Sequence, residues 1–509
     1  MARTGHAEIA AAAAEPGPPR RRAARGLLLA MALLLPPAAW AAPDRVALVI
    51  GMGKYAALNQ LDNPVPDATA VADTLETIGF DVTRALDVPL ADLRKTMQSF
   101  AFESETADLA LIYFAGHGVQ VAGENFLLPV DADARTNADV QRQSVSLKDF
   151  LQTVDGARRM RIVILDSCRD NPLGGLIKNE GAAEPEPGGL APATPERGTL
   201  VAFAAKDGQI ALDGSGGNSP FASALVDKLP IAGLEISLMF RQVRDEVLQR
   251  THNLQEPHTY GSLSGVPFYI AGPAKGQDRL PESDPVAAWA SLRPQEEEQL
   301  AALATQGDTR SMVGLAYRKL NAAGGDFRPA EAVDLFSRAA SAGSPVAEFE
   351  LGKLYEKGIG VDPDPQKALE LYRKSAAQDF PDALNDLGYL YFQGGLGLPV
   401  DRKQALAYFE RAADQRHPEA QFNFAALIDD GLVPGKGPQD AAHYLYAALR
   451  SGNSSVLDIL ETRSDMFKLS TRKALQELLQ ENNFYSQGID GQFGEGTKRG
   501  LRRAYGQEG

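Results

Sequence analysis

The single cysteine of this 509-residue chain, Cys168, closes the run Ile162-Val163-Ile164-Leu165-Asp166-Ser167-Cys168. About fifty residues earlier, Leu109-Ala110-Leu111-Ile112-Tyr113-Phe114 leads into Ala115-Gly116-His117-Gly118. A thiol attacks as its thiolate, and an imidazole within reach can take up its proton or pair with it as imidazolium. Short, continuous, β-branched apolar runs ending in Gly and polar residues read as buried parallel strands. In open α/β sheets, function gathers at the carboxyl ends of such strands. The pattern therefore predicts a thiol and an imidazole on one edge of one sheet. A cysteine at a strand end is often a small buried hydrophobe, and a lone histidine in a loop is often structural. Their joint occurrence at equivalent strand ends favours a nucleophile and its base. A zinc site is the poorer reading, since one Cys with no second His in a ligand-spaced motif completes no shell. No metal and no cofactor are expected.

Alternating apolar and amphipathic segments predict an α/β domain between Val46 and Ile270. Helices are expected over 67–78, 90–102, 147–154, 220–228 and 237–249. Strands are expected over 46–50, 80–85, 109–114, 161–165, 200–203 and 268–270. Residues 174–198 are rich in Gly, Pro, Ala and Glu, a composition that buries too little surface to order itself. Such a long connection is either functional or a solvated insertion. A second Pro- and Gly-rich stretch, 271–285, reads as a linker, with a short helix from 286 to about 303. From residue 307 an internal repeat begins. Gly307, Gly343, Asp379, Arg416 and Gly452 align at spacings of 36, 36, 37 and 36. A small residue follows each, as Ser311, Ala347, Ala383, Ala420 and, more loosely, Val456. Two helices per unit at this period predict an all-α helical-repeat solenoid over 307–460, a class of surface that binds proteins or peptides.

Several motifs in order give the chain a resemblance to caspase/metacaspase-type cysteine peptidases, the bacterial branch fitting best. They are the Gly-His-Gly and Asp-Ser-Cys segments, Ala47-Leu48-Val49-Ile50-Gly51, Asn63-Pro64-Val65-Pro66-Asp67, Asn125-Phe126-Leu127-Leu128-Pro129, Gly198-Thr199-Leu200-Val201-Ala202-Phe203 and Asn218-Ser219-Pro220-Phe221. The resemblance spans about 44–271 and implies a caspase-like, mostly parallel sheet with flanking helices. It also implies Cys168 as nucleophile, His117 as the proton-handling base, and an oxyanion held by the backbone N–H groups of Gly118 and Cys168. Metacaspases cut after Arg or Lys by means of two acids, which map onto Asp166 and Asp67. Asp166 lies two residues before Cys168 and so shares its side of a strand. Asp67 equally suits the start of a helix as a cap, and both readings stay open. No Arg maps onto the places where caspases bind Asp, and Ala115 replaces a Ser frequent before Gly-His in metacaspases. The stretch 174–198 corresponds to the intersubunit linker of caspases, with Lys178 and Arg197 as candidate self-cleavage sites.

The segments Leu351-Gly352, Leu387-Gly388 and Lys357-Gly358-Ile359-Gly360 look like Sel-one-like repeats, relatives of tetratricopeptide repeats. The tail, 471–505, carries Ile489-Asp490-Gly491-Gln492-Phe493-Gly494 and resembles a small α-helical peptidoglycan-binding module. It ends in Ala504-Tyr505 where that family commonly has an aromatic followed by Gln.

At the amino end, Arg20-Arg21-Arg22 and Arg25 precede the apolar 26–35 segment and Ala39-Trp40-Ala41. This is the layout of a secretory signal over 1–41 with cleavage after Ala41; an uncleaved anchor is the alternative. The apolar run is short for a bilayer, so no stable transmembrane span is expected after processing. The location implied is periplasmic or otherwise exported. The net charge of −15 argues against nucleic acid as a partner. The sequence thus points to an exported cysteine endopeptidase acting on a peptide or protein, with a protein partner on the repeats and peptidoglycan as a further candidate partner. The competing reading is a catalytically silent caspase-fold scaffold or envelope adaptor.

Overall fold

The computed structural model describes residues 45–168, 198–206, 211–212, 217–261, 263, 266–273, 285–290, 294–322 and 327–507. The signal over 1–41 and residues 174–197 of the long connection, with Lys178 and Arg197, lie outside the described residues. The chain divides into two compact units, Pro43–Asp364 and Pro365–Gly509.

The first unit runs β1 (Arg45–Gly51), α1 (Pro64–Thr77), β2 (Asp81–Leu86), α2 (Leu90–Ser104), β3 (Leu109–Val121), β4 (Glu124–Leu127), α3 (Asn137–Gln143), β5 (Val145–Ser146), α4 (Leu147–Val154), β6 (Met160–Cys168), β7 (Thr199–Phe203), α5 (Pro220–Lys228), α6 (Ile236–Arg250) and β8 (His258–Gly261). It continues through α7 (Pro285–Ala290), α8 (Pro294–Thr305), α9 (Thr309–Lys319), α10 (Pro329–Ser341) and α11 (Pro345–Lys357). The sheet order is β2-β1-β3-β6-β7-β8, with β4 and β5 branching from β3. Neighbours along that order are parallel until the last pair, β7 and β8, which is antiparallel. The central strands β1, β3 and β6 are buried on both faces, which is why they read as unbroken apolar runs. One face carries Leu48, Ile112, Phe114, Val163 and Leu165 into a core closed with Phe100 of α2 and Phe150 of α4. The alternate residues face the other side, where α1 and α5 lie.

Three expectations change. β3 does not stop at Phe114 but runs on to Val121, so His117 sits within the strand and not in a turn. Its second half pairs with β4 across a two-residue hairpin turn, Ala122 and Gly123, both at positive φ (51° and 80°). No strand forms over 268–270, where Tyr269 makes a single bridge to Glu235. The edge strand is β8, whose mostly exposed His258-Thr259-Tyr260-Gly261 carries no apolar run to announce it. Finally, α1 begins at Pro64, three residues before the expected start.

The sheet domain is joined to the first repeat by a buried ion pair. Glu235, fully buried, caps α6 by accepting from Ser237 N–H (2.8 Å), and also accepts from Arg310 Nη2 of α9 (2.9 Å). Arg310 also donates to the Val266 carbonyl (3.0 Å) and lies over the Trp289 ring of α7. Trp289 is fully buried against Gly314, where a Cβ would come within 2.6 Å of the ring. A second pair, Arg241 to Asp308 (2.6 Å), fastens α6 to the amino cap of α9.

The second unit comprises α12 (Pro365–Ala377), α13 (Pro381–Gln393), α14 (Arg402–Asp414), α15 (Pro418–Asp430), α16 (Pro438–Arg450), α17 (Ser454–Thr462), α18 (Leu469–Glu481) and α19 (Glu495–Tyr505). Most repeat helices begin at a proline, which is tolerated at the first helical position because the N–H it lacks has no partner there. The aligned residues Gly307, Gly343, Asp379, Arg416 and Gly452 all take positive φ, so the repeat mark is the left-handed turn between helices. Within the second helix of each repeat, Ala332-Phe336-Ala339, Ala368-Tyr372-Ser375, Ala405-Phe409-Ala412 and Ala441-Leu445-Ala448 are buried at i, i+4 and i+7. The tail helices share one apolar cluster with α15 and α16, including Phe422, Leu449, Leu475 and Leu501. Among the described residues no helix is long and apolar enough to cross a membrane.

Removing Arg310 would strand a buried carboxylate, a loss of about 3–5 kcal/mol. Arg310→Ala is therefore expected to lower the urea midpoint of the first unit markedly. The double change Glu235→Gln with Arg310→Met should recover most of that loss. Unfolding curves of the three proteins check this.

Candidate active site

The parallel register of β3 and β6 makes His117 and Cys168 direct Cα partners, as it does Ala115 and Asp166. Paired residues on neighbouring strands share a face, and the strands lie about 4.8 Å apart. His117, Asp166 and Cys168 thus sit together at the carboxyl edge, and Ser167 falls on the opposite face. The expected juxtaposition is present in the backbone.

His117 is buried and held from several sides. Its N–H donates to Tyr55 Oη (2.8 Å), and its carbonyl accepts from Leu128 N–H (3.0 Å). Its ring lies 4.6 Å from the Tyr55 ring. The Tyr55 hydroxyl donates to the Leu128 carbonyl (3.1 Å). Nε2 of His117 stands 2.8 Å from the Asn59 carbonyl. A carbonyl only accepts, so Nε2 carries a proton, and in the neutral ring the lone pair is on Nδ1. Gly116 has φ 154°, and a Cβ there would come within 2.7 Å of Tyr55 Oη. Gly118 faces Leu127 at a position between ladder hydrogen bonds, so its N–H is directed towards β6, the strand ending in Cys168.

Beside this pair lies a pocket lined by Asp67, Ala115, Gly116, Asp166, Leu212 and Ser219. Asp67 and Asp166 are both buried. The Tyr113 hydroxyl donates to Asp166 Oδ2 (2.9 Å), and the Ser219 hydroxyl donates to the same oxygen (2.8 Å). The Ser219 N–H donates to Asp67 Oδ1 (2.9 Å). Burial, then the charges of Asp166 and Asp67, holds the Tyr113 phenol well above its ordinary pKa. The cap position of α1 belongs to Asn63, and Asp67 lies one turn inside. It sits on the buried stripe with Pro64, Ala68 and Val71, so its carboxylate serves the pocket wall. Close packing brings it there, since a Cβ on Gly51 would meet the Pro64 carbonyl at 2.7 Å.

The two acids expected from the sequence are therefore brought together, although 99 residues apart in the chain. Tyr55 and Asn59 were not legible as site residues, because the loop holding them has no periodicity. Ser219 reads as a helix cap, a role it has on α5 by accepting from Ala222 N–H (3.0 Å). Its second role needs the fold. Among the described residues, no group of three His, Cys, Asp or Glu is arranged to hold a metal ion.

Residues 44–268 match the family model described as the caspase domain, and 309–344, 345–380 and 381–417 match the Sel1 repeat. The mucosa-associated lymphoid tissue lymphoma translocation protein 1 of Homo sapiens is 28% identical over 129 residues. That match covers 25% of this chain and 15% of the human protein, and the Mus musculus homologue matches at 27% over the same length. Among solved structures, caspase-1 from Spodoptera frugiperda is 17% identical, covering 47% of this chain and 93% of that one, with a TM-score of 0.34. A Sel1 repeat protein from Oxalobacter formigenes is 20% identical, covering 42% and 55%, with a TM-score of 0.31. The chain combines a caspase domain, with its mostly parallel sheet and flanking helices, and a run of helices matching Sel1 repeats.

A phenol whose folded pKa is raised adds stability that is complete below its ordinary value of 10.0 and lost as pH climbs beyond it. Wild type and Tyr113→Phe should then gain equal phenolate absorbance while folded, and differ by one tyrosine only after alkaline unfolding. Spectrophotometric titration with parallel circular dichroism checks this.

Proposed function

We propose, for a chain in which a caspase domain precedes Sel1 repeats, that the protein is a cysteine endopeptidase cutting after Arg or Lys. The observation carrying this reading is the pairing of His117 with Cys168 in register beside a pocket walled by two buried carboxylates. In this mechanism His117 Nδ1 accepts the thiol proton, and Cys168 attacks the scissile carbonyl. The Asn59 carbonyl, bonded to Nε2–H, steadies the imidazolium that results. The oxyanion is held by the N–H groups of Gly118 and Cys168, donors typically worth about 3 kcal/mol each. His117 returns its proton to the leaving amine, and water then clears the acyl-enzyme with His117 as base. Asp67 and Asp166 receive the basic side chain before the scissile bond, which a guanidinium can bridge with paired hydrogen bonds.

The wider reading places this enzyme outside the cytoplasm, in the periplasm or cell envelope, with Ala42 as the mature amino terminus after removal of residues 1–41. The repeats engage a protein partner. The tail is the candidate for peptidoglycan, and its Ile489–Gly494 turn is pinned by buried Gln476, which accepts from Gly491 N–H (2.7 Å) and donates to Thr497 Oγ1 (3.0 Å). Phe484 and Phe493 pack on the cluster shared with the repeats. Any wall contact by the tail must therefore use its other side.

The mature protein should cleave fluorogenic peptides carrying Arg or Lys before the scissile bond and spare those carrying Asp. Cys168→Ala and His117→Ala should each abolish turnover while leaving the fold intact by circular dichroism. Asp166→Asn should cost Arg substrates on the order of a hundredfold in kcat/KM. Cleavage confined to Asp substrates, or a Cys168→Ala protein with wild-type turnover, would sink the proposal.

Self-cleavage after Lys178 or Arg197 is expected in the same preparation, since these are the basic residues of the 174–198 stretch attached just beyond the nucleophile. Sequencing the fragments of wild type and Cys168→Ala decides this. Identical fragments in both would assign the cut to a foreign protease.

A further inference from the structure

We infer that Ser219 is a positioning residue that sets the preference of the pocket for arginine over lysine; this rests on the basic-residue reading above. Ser219 is 4% exposed and touches both acids through different donors. Its N–H addresses Asp67 Oδ1 at 2.9 Å, and its hydroxyl addresses Asp166 Oδ2 at 2.8 Å. A hydroxyl has one proton to give. The Ser219 oxygen already accepts from Ala222 N–H at 3.0 Å, which fixes its rotation and leaves the proton for Asp166. The residue therefore acts as a strut between two like charges that would otherwise repel or turn apart. The Tyr113 hydroxyl, on the same Asp166 oxygen at 2.9 Å, is the second brace.

The geometry matters more to one substrate than to the other. A guanidinium is a planar, rigid fork and gains most from two carboxylates held at a set spacing and orientation. A lysine ammonium is a compact charge with rotatable donors and tolerates a carboxylate that swings. Loss of the strut should cost arginine substrates more than lysine substrates, and should act on binding more than on the chemical step.

The test is steady-state kinetics of the full mature protein on two peptides differing only in Arg or Lys before the scissile bond, for wild type, Ser219→Ala, Ser219→Thr and Tyr113→Phe. Ser219→Ala should lower kcat/KM for the Arg peptide on the order of tenfold, mostly through KM, with a smaller fall for Lys. Ser219→Thr, which keeps a hydroxyl and a helix cap, should restore the wild-type Arg-to-Lys ratio. Tyr113→Phe, which leaves the α5 cap intact, should shift the ratio as Ser219→Ala does, and it decides the question if Ser219→Ala does not fold. Equal losses on both peptides, or losses confined to kcat, would make Ser219 a helix cap and overturn the inference while the basic pocket stands. A wild type that cuts after neither Arg nor Lys would remove the pocket reading and this inference with it.

Discussion

Everything at the site depends on the parallel pairing of β3 with β6 and on its register. Nine residue pairs, from Leu109 with Met160 to His117 with Cys168, hold the two strands in one alignment. Side chains alternate faces along a strand, so a slip of one residue would send Cys168 to the α2 and α4 side of the sheet and leave His117 opposite Ser167. Both strands are buried on both faces by apolar side chains, which makes that slip costly. The geometry of the site is thus tied to the core. Extension of β3 past His117 into the β4 hairpin adds a second anchor, because the hairpin supplies the Leu128 groups that hold Tyr55 and His117 in place.

The pocket illustrates how buried carboxylates are made tolerable. Taking a charge out of water is expensive unless hydrogen bonds or an opposite charge compensate it. Here neutral donors face both acids: a phenol and a hydroxyl for Asp166, and a backbone N–H for Asp67. The burial that holds the Tyr113 phenol protonated keeps it a donor. On the proposed specificity, a basic substrate side chain would bring the opposite charge to both acids.

Much of this was legible before the fold was known, for identifiable reasons. Central strands of a covered parallel sheet must be apolar throughout, so β1, β3, β6 and β7 announced themselves, and with them the shared edge of His117 and Cys168. The repeats were legible because a left-handed turn recurs at a fixed spacing and small residues recur where helices meet. What escaped was of two kinds. The edge strand β8 and the antiparallel pair β4 and β5 are short, so pairing partners decide them. Tyr55, Asn59 and the second role of Ser219 arise from contacts between distant segments, and single positions in irregular loops carry no pattern. The expected strand over 268–270 shows the converse, an apolar stretch that buries Ile270 and makes one bridge without joining the ladder.

The ion pair of Glu235 with Arg310 bears on how such a chain can be assembled from parts. The family resemblance of the sheet domain ends at residue 268, whereas the acid capping α6 finds its cation in a repeat helix about forty residues later. Recombination within the intervening linker would swap the repeats yet orphan a carboxylate from which water is excluded. The junction is thus easy to cut in sequence and hard to exchange in physics. Replacement of later repeats is therefore expected to be borne more readily than replacement of the first, whose Arg310 answers a buried acid of the sheet domain.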